Sequence, residues 1–337
     1  MEASLYRKGE EQMVHCDLCH HRCAIKPGRR GLCHVRENRE GILHSLVYGR
    51  LIARHIDPIE KKPLFHFLPG SRSYSIATVG CNFRCRFCQN ADIAQLPADR
   101  DGAIAGETAT PEAVAADAAA RGCRTIAYTY TEPTVFFEFA RDTARLAADR
   151  GLRNVFVTNG YITPEALDAI HPHLHAANVD LKSFSDDFYR TYCGARLAGV
   201  TESLRAMRER GIFVEVTTLV IPGLNDHPEE LKDLAAFLVE ALGPQTPWHV
   251  SRFHPTYRLT DRGPTPVSTL LAARDIGLAA GLAHVYVGNV PGEGGEDTVC
   301  PGCGGTVISR WGFQVHANRI KDGRCPDCGT LIEGVWG

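Results

Sequence analysis

No stretch of this chain reaches the roughly eighteen consecutive apolar residues that a membrane-spanning helix requires. Its first residues, Met-Glu-Ala-Ser-Leu-Tyr-Arg-Lys, carry no apolar secretory core. These absences lead to the expectation of a cytoplasmic protein without a membrane partner. An excess of one charge is missing too: 37 Lys and Arg stand against 39 Asp and Glu, a formal net charge of −2. That balance argues against the basic footprint of a DNA-binding protein. The 44% hydrophobic content excludes a disordered or fibrous chain, and 337 residues suit one large domain with appendages.

What the chain has in plenty is cysteine, thirteen in all. In a reducing compartment these read as metal ligands and not as disulfides. Cys81, Cys85 and Cys88 follow a C-x3-C-x2-C spacing, with Gly80 before the first thiol and Phe87 before the third. Three soft thiolates in eight residues suit three corners of an iron–sulfur cubane, leaving the fourth iron open. A partial zinc site or three buried thiols is the plain alternative, against which stands zinc's preference for four ligands. Cys16, Cys19, Cys23 and Cys33, at C-x2-C-x3-C-x9-C spacing, read as one closed site for zinc or for a second cluster. The nearby His15, His20 and His21 complicate its ligand count. Cys300-Pro-Gly-Cys303 and Cys325-Pro-Asp-Cys328 enclose 21 residues, the pattern of a zinc ribbon or rubredoxin-like knuckle pair, with zinc the first choice and a single iron the second. Arg310, Trp311, Lys321 and Arg324 offer that module either a partner-binding or a merely solvated basic face. Cys123 and Cys193 stand alone and read as small buried hydrophobes.

From residue 73 apolar strands alternate with helical stretches, the signature of a parallel sheet covered by helices. Strands are expected at 74–79, 125–130, 154–158, 177–181, 213–221 and 249–253, with a further edge strand at 284–288. Helices are expected at 111–121, 134–150, 164–171, 201–210 and 228–242, two of them opened by Thr-Pro-Glu, a capping threonine followed by proline in the first turn. The fold class is therefore α/β, a partial (β/α)6 TIM-like barrel. It is flanked by an N-terminal Cys-rich module with a barrel-wrapping segment (1–72) and a C-terminal zinc-ribbon-like module (293–337), with the core at 73–292. The proline-broken segment 57–70 is expected to wrap the barrel mouth, with Lys61, Lys62 and His66 facing substrate or solvent. In such barrels the chemistry sits at the C-terminal strand ends. Here those ends carry the Cys81 loop, Tyr130-Thr131-Glu132, Thr158-Asn159-Gly160, Asp180-Leu181-Lys182, the segment after Leu219, and His254.

With those motifs in view, the chain resembles the radical S-adenosylmethionine (SAM) enzymes of the pyruvate formate-lyase activating type, and among them the AmmeMemoRadiSam group, over nearly its whole length. The resemblance implies that Cys81, Cys85 and Cys88 bind a [4Fe–4S] cluster whose open iron SAM chelates. It also implies SAM contacts from Glu132, Thr131, Asn159, Asp180, Lys182, Leu219 and His254. The family's two glycines before the glutamate are replaced here by Tyr130 and Thr131, and Val157 stands where the family has an acidic residue. The implied function is reductive cleavage of SAM to a 5′-deoxyadenosyl radical that takes hydrogen from a substrate, a protein or an RNA, with flavodoxin or ferredoxin as reductant. The competing reading is a non-catalytic, zinc-bearing binding or scaffold protein on the same barrel.

Overall fold

The computed structural model describes residues 1–290 and 295–337. The expected boundary at 292/293, with Pro291, Gly292 and Gly294 of the glycine-rich stretch, lies outside the described residues.

Seven parallel strands form the core sheet: β1 (Arg72–Ala77), β2 (Thr125–Tyr128), β3 (Arg153–Thr158), β4 (Ala176–Asp180), β5 (Phe213–Val220), β6 (Trp248–Arg252) and β7 (Val285–Gly288), hydrogen-bonded in that order. Six helices connect them: α1 (Pro111–Ala120), α2 (Phe137–Ala148), α3 (Pro164–Ile170), α4 (Leu197–Glu209), α5 (Pro228–Leu242) and α6 (Val267–Ala279). As expected, Thr110 and Thr163 cap α1 and α3 through their hydroxyls, with Pro111 and Pro164 in the first turns. Helix α6 was not foreseen. It starts after Pro266 with no side-chain cap, and its lone glycine, Gly277, lies so close to the Trp248 ring that a Cβ would stand 2.8 Å from it. An eighth strand, Ala53–Pro58, also unforeseen, runs antiparallel along β1 and ends the sheet on that side.

Period-two alternation divides the sheet into a helix-covered face and an inner face. Tyr74, Ile76, Ile126, Tyr128, Phe156, Val179, Val216, Trp248 and Val250 pack into the main core with the helices. The inner face is far more polar, with Ser73, Ser75, Asn178, Glu215, His249 and Tyr286 all buried on it or beside it. Its lower half, toward the strand starts, is filled rather than hollow. Ile59, Leu64, Phe67 and Leu68 form a separate core there with Ala127, Val155 and Ala176. Glu215 accepts the backbone N–H groups of Phe65 (3.0 Å) and His66 (2.8 Å) and meets His249 Nε2 at 2.7 Å. Segment 57–70 therefore plugs the barrel base instead of wrapping its mouth, because its apolar side chains need the inner face that the strands leave uncovered. Its only helical turn is the short Ile59–Lys61.

The N-terminal module is a three-stranded sheet (Tyr6–Lys8, Val14–Cys16, Ala24–Ile25) followed by the hairpin Arg36–Arg39/Ile42–Ser45. Its attachment to the barrel includes a buried ion pair, Arg36 to Glu138 of α2 at 3.0 Å. The C-terminal module is a three-stranded antiparallel sheet (Thr298–Val299, Thr306–Trp311, Gln314–Asn318) flanked by its two Cys-x2-Cys turns. Arg310, expected on a partner-binding or solvated face, is 6% exposed and anchors the module. Its guanidinium donates to the Phe65 carbonyl (2.7 Å) and the Thr298 hydroxyl (2.8 Å) and lies 4.4 Å from the Phe65 ring centroid. Among the described residues no helix is long and apolar enough to cross a membrane.

Candidate active site

Above the plug, the strand ends enclose a cleft of about 510 Å³, a size typical of small-ligand sites. Cys81, Cys85 and Cys88 line one side of it. The loop carrying them is tightly specified. Gly80 takes φ +101°, and a Cβ there would stand 2.6 Å from Val35 Cγ1, so only glycine fits. The loop backbone is clamped from below: Arg84 N–H donates to the Cys193 carbonyl (2.7 Å) and Arg86 N–H to the Tyr192 carbonyl (3.0 Å). Phe83 N–H points at Cys81 Sγ (3.3 Å), and Asn159 Nδ2 lies 3.7 Å from the same sulfur. Burial pushes the Cys81 thiol well up and the Cys88 thiol to about 11, and contact with the Cys193 thiol followed by burial pushes Cys85 up. Loading a metal center on these groups must therefore expel protons. Three converging thiolates with a large cleft in front fit a cubane with one open iron better than a closed zinc cage.

Thr131, Glu132, Asn159, Asp180, Lys182 and Leu219 also line the cleft, so the structure brings six of the seven expected SAM-contact residues together. Glu132 is 1% exposed. Its Oε1 accepts from Thr134 N–H (3.0 Å), the Thr134 hydroxyl (2.6 Å) and the Thr158 hydroxyl (2.7 Å). Among the described residues its Oε2 accepts only from Asn159 N–H (2.8 Å), which leaves that oxygen with acceptor capacity toward the cleft. Lys182 Nζ pairs with Asp180 at 2.9 Å. Tyr130 occupies a left-handed backbone conformation (φ +63°), which costs a side-chain-bearing residue about 1–2 kcal/mol. Asn90 Nδ2 holds its carbonyl (2.7 Å), its hydroxyl donates to Asp57, and Lys62 Nζ sits 4.4 Å from its ring centroid. These contacts let a tyrosine keep the backbone shape for which glycine is the usual residue.

His254 is not brought in. Strand β6 ends at Arg252, Phe253 turns into the core, and His254 follows on an exposed loop outside the cleft lining. His66 is likewise absent from the cleft, buried at the base between Tyr286 and Trp336, whereas Lys61 and Lys62 do line it. The cleft also recruits Asn90, Asn178, Thr217, Ser251, Asn289 and Phe313, none of them singled out from sequence. Asn178 and Thr217 sit two residues before Asp180 and Leu219, so strand alternation was a usable signal for both. Phe313, at the tip of the C-terminal hairpin and 46% exposed, left no signal at all.

The four C-terminal cysteines converge, their sulfurs all within 4.8 Å of one another, as a single ion requires.

Comparison with known proteins agrees with this geometry. The family model of the Radical SAM superfamily matches residues 75–238. The chain is 45% identical over 336 residues to an uncharacterized protein of Methanocaldococcus jannaschii, covering 99% of both chains. It is 25% identical over 171 residues to the pyruvate formate-lyase-activating enzyme of Clostridium pasteurianum, covering 50% of this chain and 69% of the relative. Among solved structures, Streptococcus suis SuiB bound to S-adenosylmethionine shares the fold with a TM-score of 0.51 at 13% identity, over 68% of this chain and 52% of that one. A three-cysteine loop at the end of the first barrel strand, a polar cleft before it and these matches lead to one conclusion: the chain belongs to the radical SAM superfamily.

Proposed function

We propose that this protein is an enzyme that cleaves SAM reductively and takes a hydrogen atom from a group on a partner protein. The observation that carries the reading is the convergence of Cys81, Cys85 and Cys88 with Glu132, Asp180 and Lys182 on one cleft. Membership of the superfamily implies a [4Fe–4S] cluster and SAM, and when bound they supply the electron and the 5′-deoxyadenosyl radical. The protein's own residues do the rest.

Cys81, Cys85 and Cys88 would hold the cluster. Glu132 Oε2 would receive the methionine amine, while its other oxygen stays fixed by Thr134 and Thr158. The Asp180–Lys182 pair and Asn159 offer opposite charges and an amide to the carboxylate and ribose, and Leu219 gives the base an apolar wall. The plug below and Phe313 at the rim limit water access, which protects a reactive intermediate. A protein substrate is favoured by the activating-enzyme relatives and by the exposed aromatics Trp311 and Phe313 on the hairpin that reaches the cleft. The C-terminal quartet holds zinc, and a low-potential carrier such as flavodoxin or ferredoxin supplies electrons.

The test supplies the reduced holoenzyme with SAM and a deuterated cell extract. Deuterium should appear in 5′-deoxyadenosine, and protease treatment of the extract should remove it. Loss on ribonuclease treatment instead would redirect the substrate to RNA, and no 5′-deoxyadenosine under any condition would overturn the enzymatic reading.

A further inference from the structure

The N-terminal quartet behaves unlike the C-terminal one. Cys16, Cys19, Cys23 and Cys33 line a small cavity, together with Leu18, His21, Ile25, Thr134 and Val135. Yet among the described residues only the C-terminal cysteines form a group of three or more ligands drawn within 4.8 Å of one another. Four thiolates on one zinc, each at about 2.3 Å, stand about 3.8 Å apart. The C-terminal sulfurs match that, with Cys300 to Cys328 at 3.5 Å and Cys303 to Cys325 at 3.8 Å. In a cubane each thiolate binds its own iron, so the sulfurs stand farther apart than on one zinc, which agrees with four N-terminal cysteines that line one cavity without drawing together within 4.8 Å.

Two buried donors point to the same occupant. Arg36 and Asn82, each 2% exposed, line this cavity, and Arg36 Nε and Asn82 Nδ2 have no hydrogen-bond partner among the described residues. Unpaired buried N–H groups are costly. A cluster carrying inorganic sulfide and four thiolates is anionic and sulfur-rich, and it accepts N–H···S bonds of the kind that tune cluster potentials. Of the histidines that clouded the ligand count, His20 is tied by Nε2 to the Ser203 hydroxyl (3.2 Å), while His21 lines the cavity with its Nε2 held by the Asn82 carbonyl (2.7 Å).

The cavity abuts the loop of the first site. Cys81 lines the cleft and its neighbour Asn82 lines the cavity. Gly80 packs against Val35 and the Cys33 carbonyl, and the Arg84 guanidinium donates to the Leu32 carbonyl.

We propose that Cys16, Cys19, Cys23 and Cys33 hold a second cubane iron–sulfur cluster rather than zinc, set directly against the loop that carries the first. The assignment is independent of SAM cleavage, and the two readings fail separately. The anaerobically reconstituted full-length protein should contain about eight irons, about eight sulfides and about one zinc per chain; about four irons with about two zincs would overturn the proposal. The combined variant Cys81→Ala, Cys85→Ala, Cys88→Ala should stay brown, with about four irons and a reduced-cluster EPR signal. The same variant purified colourless with zinc at both outer sites would overturn it. The wild-type iron and zinc count decides the matter even if this variant fails to fold. For the adjacency, the reduced wild-type EPR spectrum should be broadened by spin coupling that neither the triple variant nor Cys19→Ala, Cys33→Ala shows. A wild-type spectrum equal to the plain sum of the two would overturn the placement.

Discussion

The two cysteine quartets have the same ligand type and the same number, yet the fold uses them differently. At the C-terminus two Cys-x2-Cys turns face each other across a small sheet, and four sulfurs meet at a point on a half-exposed surface, with Cys303 and Cys328 open to solvent. At the N-terminus the nine-residue excursion between Cys23 and Cys33 sets the four cysteines around a small cavity. The barrel presses that cavity against the Cys81 loop. Ligand spacing and burial, more than ligand identity, set the two quartets apart and would suit them to different metals.

The largest expected effect separates the barrel loop from everything else. Cys85→Ala should reduce 5′-deoxyadenosine formation to background, whereas Cys123→Ala, which removes a buried thiol remote from the cleft, should leave it nearly intact. Measured product per chain after dithionite reduction checks both. Next comes removal of the C-terminal metal by a chelator. Structural zinc contributes about 10–16 kcal/mol in comparable small modules, so this sheet should unfold while the barrel keeps its iron. Once the metal is removed, the solvent-exposed Cys303 and Cys328 should be the first cysteines alkylated at neutral pH, read by peptide mass spectrometry. The N-terminal thiols Cys19, Cys23 and Cys33, pushed up by burial, should react far more slowly.

Glu132→Gln tests the cleft itself. It keeps the shape but exchanges an anion fixed by four donors for an amide, and a charged hydrogen bond of about 1.5–3 kcal/mol predicts roughly ten- to hundredfold weaker SAM binding by calorimetry. The smallest effect concerns the base, where the C-terminal module docks. Burial depresses His284 to about 4, and the unfolded chain should bind its proton near 6.5. A depressed histidine contributes stability above its unfolded value, and that stability is lost as pH falls from 6.5 toward 4. Between pH 7 and pH 5 this group should remove roughly 2 kcal/mol in denaturant titrations, and His284→Gln should lessen the dependence by that share, His66 and His175, also depressed by burial, supplying the rest.

Much of this was legible in the residues. The Cys81 loop, the polar strand ends and the C-terminal knuckles are local signals, each written within a few positions. What escaped depends on contacts between distant segments. Nothing near Cys33 announces that its carbonyl will touch Gly80, and nothing in Phe313 points to a cleft built by strands far earlier in the chain. Arg310 reads as surface charge until Phe65 and Thr298 receive it. His254 misled for the opposite reason: it follows a strand end, but the chain has already left the sheet at Arg252. Helix α6 hid because its apolar and polar residues do not separate cleanly around its axis and no side chain caps its start.

The central claim is that the cleft presents an open iron, held by Cys81, Cys85 and Cys88, to SAM. The most direct measurement is the EPR spectrum of the reduced holoenzyme, read before and after saturating SAM. The account predicts that SAM shifts the signal of the first cluster, that the shift is weakened in Glu132→Gln, and that it is lost in the triple cysteine variant. A spectrum indifferent to SAM in the fully loaded wild-type protein would contradict it.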